Sequence, residues 1–120
     1  MPRKLVVKVT AGAEDAERCN QAFTVAAAAT TAGAEVSLWL TGESAWYGVP
    51  GRAQQFSLPL ATPLVDLLGL VLADGTVTVC SQCAARRQIT EADVMPGVRI
   101  AGAAVFAEEI LADGVQALVY

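Results

Sequence analysis

Val77-Thr78-Val79-Cys80-Ser81-Gln82-Cys83-Ala84-Ala85-Arg86-Arg87 is the stretch around which the rest of the chain is organised. An alternating β-branched run ends on a cysteine, a second cysteine follows at CxxC spacing, and two arginines come directly behind. The pattern predicts a strand over Thr76–Cys80 that turns into a short helical piece reaching Arg87. The thiolate is the reactive form of cysteine, and a helix N-terminus and nearby cations both favour it. Cys80 is therefore the candidate nucleophile, and Arg86 or Arg87 its candidate cation. At ~6 Å in an effective dielectric of ~20, one guanidinium contributes up to about 2.8 kcal/mol to the anion.

Upstream, Thr62 and Pro63 mark a helix start, threonine as cap and proline in the first turn. Leu64 to Ala73 is apolar almost all round, with Asp66 its only internal charge, so this helix is expected to be buried on more than one side. Asp74-Gly75 stops it. Before it, Pro50 to Leu60 reads as an irregular connection. Thr41 to Gly48 is a glycine-bounded loop with Trp46 and Tyr47 at its centre, placed to line a ligand site or to cover the sheet or a subunit contact. Glu35 to Leu40 alternates as a strand, with Val36, Leu38 and Leu40 on one face and Trp39 opposite. Glu14 to Thr31 carries Ala16, Cys19, Phe23, Ala26 and Ala27 at helical spacing and is closed by Gly33. Cys19 on that stripe reads as a core thiol. Lys4 to Thr10 is a nearly continuous apolar strand of the doubly buried kind.

Downstream, Thr90-Glu91-Ala92-Asp93 resembles a capping box and predicts another turn of helix, ended near Pro96-Gly97. A strand over Val98–Ala101, an alanine-rich helix from Ala103 to Ala112 and a last strand from Val115 to Tyr120 complete the chain. Strands and helices thus alternate five times, which predicts one α/β domain over residues 1–120: a three-layer α/β/α architecture with a five-stranded parallel sheet. The carboxyl ends of the strands then share one edge, where Thr10 to Gly12, Thr41 to Tyr47 and Cys80 to Cys83 converge. Gly12, Trp46 and Tyr47 are the candidate binding residues at that rim.

Composition narrows the chemistry. The 120 residues are 54% apolar, enough for one core without disulfide staples. A net charge of -4, with no basic cluster beyond Arg86-Arg87 and Arg3-Lys4, speaks against nucleic acid. No stretch offers the ~20 clean apolar residues of a membrane span, and Leu5 to Val9, broken by Lys8, is too short for a signal peptide. Three cysteines at irregular spacing suit a reducing compartment, so a cytoplasmic location is expected. The absence of histidine removes Ser/His/Asp triads, Cys/His pairs and His-containing zinc sites. Neither a metal nor a cofactor is expected.

Over its whole length the chain resembles the DsrE-like family of small sulfur-handling proteins, which includes the DsrE, DsrF and TusD type subunits and the YchN type. The resemblance rests on a strand ending in cysteine, Val79-Cys80, followed by the turn Ala84-Ala85-Arg86-Arg87. Cys80 has the position of the sulfur-carrying cysteine of TusD-type members, and Cys83 completes the CxxC of YchN-type members. Gln88 departs from the pattern, where the family usually has glycine. The resemblance implies a five-stranded α/β/α domain, trimeric or hexameric assembly of identical subunits, and passage of persulfide sulfur between donor and acceptor proteins or small persulfides. Cys83 keeps three readings: a partner that resolves or protects the persulfide, a zinc ligand lacking its second pair, or an inert buried residue. Two other functions stay open. One is a non-catalytic binding module using the cleft near Trp46 and Tyr47; the other is thiol-disulfide exchange through Cys80 and Cys83.

Overall fold

Strands β1 (Lys4–Val9), β2 (Glu35–Leu40), β3 (Thr76–Cys80), β4 (Val98–Ala101) and β5 (Val115–Val119) form one sheet in a computed structural model that describes residues 2–120. The order is β4-β3-β2-β1-β5 and every pairing is parallel. Helices α1 (Ala16–Thr31), α2 (Leu64–Asp74), α3 (Ser81–Arg86) and α4 (Ala103–Leu111) make the crossovers. The first three crossovers step the sheet in one direction and the last returns across it. With right-handed connections, this reversal sends α4 to the opposite face from α1 and α2. The expected three-layer α/β/α fold is what the chain adopts.

The period-two alternation of the strands divides the core. Val7, Val9, Val36, Leu38, Leu40, Val77 and Val79 meet Phe23 and the alanines of α1, and Leu64, Leu67, Leu68 and Val71 of α2. Phe23 is fully buried here, and truncating it to alanine would cost about 3–5 kcal/mol. On the other face Trp39 is buried with Phe106 of α4 edge-on at 5.2 Å. No residue of α4 is fully buried. Its anchor is polar instead: the Glu109 carboxylate accepts hydrogen bonds from the Ser37 hydroxyl (2.6 Å) and the Trp39 indole (3.2 Å) and pairs with Arg99. Arg99 also donates from Nε to the Thr78 hydroxyl at 2.6 Å.

Two expectations are corrected. The α2 helix is buried along one stripe only, Leu64, Leu67, Leu68 and Val71, while Leu70 is 48% exposed, because none of the described residues covers its outer side. Thr90 to Asp93 is a turn and not a helix. Asp93 does accept the Thr90 N–H at 2.8 Å, half of a capping box. The next amides do not follow: the Met95 N–H bonds to the Gly48 carbonyl, and Pro96 has no N–H to give.

Candidate functional site

Cys80 is the last residue of β3 and the residue from which α3 springs. It is partly exposed. Its side chain closes no cap hydrogen bond of ordinary geometry, yet the helix start turns the Gln82 and Cys83 amides toward the sulfur. Burial pushes the Cys80 thiol up from its ordinary 9.0. The Cys83 amide, the Cys83 thiol, the Gln82 amide and the Lys8 ammonium outweigh that effect and bring it below the ordinary value.

Lys8 reaches this site through the sheet register. It lies opposite Trp39 on β2, which lies opposite Thr78 on β3, so Lys8, Trp39, Thr78 and Cys80 share one face. The Lys8 ammonium is held over the Phe106 ring at 5.0 Å. Arg86 and Arg87, the expected cations, are placed otherwise. Arg87 donates from Nε and Nη2 to the Glu43 carboxylate at 2.8 Å and from Nη1 to the Cys83 carbonyl at 3.1 Å, while Arg86 is exposed. Arg87 therefore ties the end of α3 to the loop after β2. In the sequence Lys8 reads only as a charge interrupting an apolar strand. Its signal was parity: it alternates onto the side opposite Val7 and Val9.

Cys83, one helical turn beyond Cys80, accepts the Gly42 backbone N–H at 3.2 Å while its own thiol turns to Cys80. The contact depends on the backbone of Gly42. Its φ is +57, and a Cβ there would lie 2.5 Å from the Thr10 carbonyl oxygen. At the other end of α3, Gln88 occupies the left-handed region with φ 57. The Ile89 and Gln88 amides return to the Ala84 and Ala85 carbonyls at 2.9 and 3.2 Å, a Schellman closure whose central residue is ordinarily glycine. Glutamine thus adopts a conformation that ordinarily falls to glycine. Cys19 lies elsewhere, fully buried in α1, with its thiol pushed up to about 12 by burial and by Glu14.

The loops converge as the parallel sheet requires. Gly12 is buried so close to Glu43 that a Cβ would meet its backbone and Cβ at 3.0 Å. The expected glycine-bounded loop is a 3-10 helix over Gly42–Gly48, its start fixed by the Thr41 N–H donating to the Ser44 hydroxyl at 3.0 Å. Within it Trp46 and Tyr47 line the same cleft but differ in burial. Tyr47 is buried edge-on between Phe23 and Phe56, ring centroids 6.1 and 5.9 Å away, and burial, with Cys19 and Glu14, pushes its phenol up to about 12. Trp46 is only partly buried and lines a cleft of about 220 Å³ with Tyr47, Ala13, Glu43, Arg52, Gln55 and Phe56. A larger hollow of about 300 Å³ lies at the opposite edge of the sheet, where Lys4 pairs with Glu35 and Arg99 with Glu109.

The sequence profile of the DsrE/DsrF-like family matches residues 3–119. The chain belongs to the DsrE/DsrF-like family. Solved structures that share its fold include the following three. The YchN protein of Escherichia coli superposes with a TM-score of 0.79 at 19% identity, covering 100% of both chains. The protein of unknown function MTH1491 from Methanobacterium thermoautotrophicum gives 0.68 at 6% identity over 98% of this chain and 99% of its own. The conserved protein BT1422 from Bacteroides thetaiotaomicron gives 0.61 at 16% identity over 98% and 95%. No curated relative matches the chain. For this DsrE/DsrF-like protein, identities this low speak to the fold alone.

Proposed function

We propose that this DsrE/DsrF-like protein carries sulfane sulfur on Cys80. The observation that supports the reading best is a partly exposed thiol at the carboxyl edge of a parallel sheet, lowered below its ordinary pKa by the Gln82 and Cys83 groups and Lys8. The Cys80 thiolate attacks the outer sulfur of a donor R–S–SH. The donor S–S bond breaks, R–S⁻ leaves with its electron pair, and Cys80–S–SH remains, with no net oxidation. An acceptor thiolate then takes the sulfur in the same way. Attack by the Cys83 thiolate on the inner sulfur instead expels HS⁻ and forms a Cys80–Cys83 disulfide, which gives Cys83 a resolving role.

Donors and acceptors are proteins or small persulfides. Among the described residues no helix is long and apolar enough to cross a membrane, and we place the protein in the cytoplasm. The exposed apolar side chains Leu111, Leu118 and Val119, with Leu70 on α2, support assembly of several copies. The reading is tested by incubating the protein with a persulfide donor and weighing it intact. Uptake of one sulfur by the native chain and none by Cys80→Ser is expected; equal uptake by both would overturn it. Thiol-disulfide exchange is the second reading, favoured by the Cys83 thiol turning to Cys80. It predicts a bond between them on mild oxidation with no sulfur taken up from the donor.

A further inference from the structure

Lys8 is a partly buried cation that pairs with no carboxylate among the described residues; the four ion pairs there belong to Lys4, Arg18, Arg87 and Arg99. Its α-carbon stands two strands across the sheet and two residues short of that of Cys80, about 12 Å away by strand spacing and rise. The flexible four-carbon stem of lysine covers about half of that distance, so the direction in which it lies decides whether the charge comes near the sulfur. Left free, it would run out to water. What holds it is the Phe106 ring of α4, with the ammonium 5.0 Å from its centroid, inside the range where a ring quadrupole attracts a cation. Phe106 also meets the Trp39 indole edge-on at 5.2 Å. The ring thus bridges β1 and β2 and keeps the ammonium on the sheet face that ends in Cys80. Around them, Arg99 is engaged by Glu109, Lys4 by Glu35 and Arg87 by Glu43, while Glu108 of α4 is exposed. The Cys83 thiol is turned to Cys80, and Tyr120 lines a hollow with α1 on the far side of the sheet.

We propose that Phe106 is a positioning residue of the sulfur site, its ring holding the Lys8 ammonium where it steadies anionic sulfur on Cys80. The inference rests on the sulfur-carrier reading for the loaded form, and on the geometry alone for the free thiolate. In transfer, Cys80 takes the outer sulfur as already described. When Cys80–S–SH gives its proton to water, the charge of Cys80–S–S⁻ sits one S–S bond further out, about 2 Å, and an ammonium on a flexible stem follows it. Because no residue of α4 is fully buried, whatever lifts this helix takes Phe106 away and leaves the cation unheld.

Phe106→Leu keeps an apolar side chain against Trp39 and removes the ring quadrupole. Alkylation of Cys80, read by mass on its own peptide, is followed against pH. The variant should react about two- to fivefold more slowly at neutral pH, with a raised midpoint, and match the native protein in alkali. In Lys8→Met protein the same substitution should change nothing further, since no cation is left to hold. Phe106→Tyr should keep the native profile. A Phe106→Leu profile identical to the native one, or an effect that persists in full without Lys8, overturns the proposal. The native protein also decides it without any substitution: the ε-methylene protons of Lys8 should be shifted upfield by the ring current of Phe106, and an unshifted position overturns the proposal even if the variants unfold. In protein loaded by a persulfide donor, the near-ultraviolet absorbance of the persulfide anion should titrate at higher pH in Phe106→Leu. Failure of the native chain to load, with alkylation behaving as expected, overturns the carrier and leaves Phe106 in its role.

Discussion

Gly42 donates its backbone N–H to the Cys83 sulfur over 3.2 Å, while the Cys83 thiol faces Cys80. The loop after β2 thus sets the second cysteine, and the second cysteine sets the first. Gly42→Ala tests this. A Cβ would lie 2.5 Å from a backbone oxygen in a left-handed residue, so the variant should lose at least about 2 kcal/mol in denaturant unfolding. The Cys83 sulfur then loses its amide donor, and its alkylation should slow.

Lys8→Met removes the ammonium that helps ionise Cys80. The midpoint of the pH dependence of Cys80 alkylation should move up. The variant then reacts more slowly at neutral pH and matches the native protein in alkali, where both are thiolates. Arg86→Met should leave the midpoint where it is, and an equal effect of the two substitutions would contradict the placement of the charge.

Gln88 takes a conformation that costs an L-residue more than glycine. Gln88→Gly should stabilise the protein by about 0.5–1 kcal/mol, the relief of strain being partly offset by greater freedom of the unfolded chain. A higher midpoint of thermal unfolding with unchanged Cys80 reactivity is expected.

Glu109 feels burial, which raises its pKa, but the bonds from Ser37, Trp39 and Arg99 prevail and hold it below its ordinary 4.5. The fold therefore favours the carboxylate. Its contribution to stability is full above pH 4.5 and disappears as the pH falls through the lowered folded value. Glu109→Gln, which leaves Arg99 without its partner, should cost about 1–3 kcal/mol at neutral pH. It should also flatten the acid limb of the stability profile.

The edge strand β5 exposes Leu118 at 40% and Val119 at 64%, on opposite sides of the strand. Leu118→Lys with Val119→Lys should lower the sedimenting mass toward that of one chain. An unchanged mass above that of one chain would place the contacts of the proposed assembly elsewhere, and a native mass of one chain would overturn that assembly.

Periodicity alone carried the architecture. Apolar alternation in Glu35 to Leu40 and Thr76 to Cys80, and helical spacing in residues 16 to 27, are local properties that survive whatever the rest of the chain does. The CxxC and its place at a strand end were legible for the same reason. Local pattern failed where a partner from far away decided the outcome. The Thr90 turn stops short of a helix because Gly48 takes the Met95 amide, and α2 is half exposed because none of the described residues forms a second layer over it.

The charges around the thiol show the division most clearly. Sequence by itself determined that Cys80 ends a strand and begins a helix, since backbone geometry there is set by neighbouring residues. Which cation acts on it was decided only by tertiary structure: Arg87 is seven residues away yet engaged by Glu43, and Lys8 is 72 residues away yet shares a sheet face with the sulfur. Coulombic coupling depends on distance through space, and in a parallel sheet that distance is set by strand order and register.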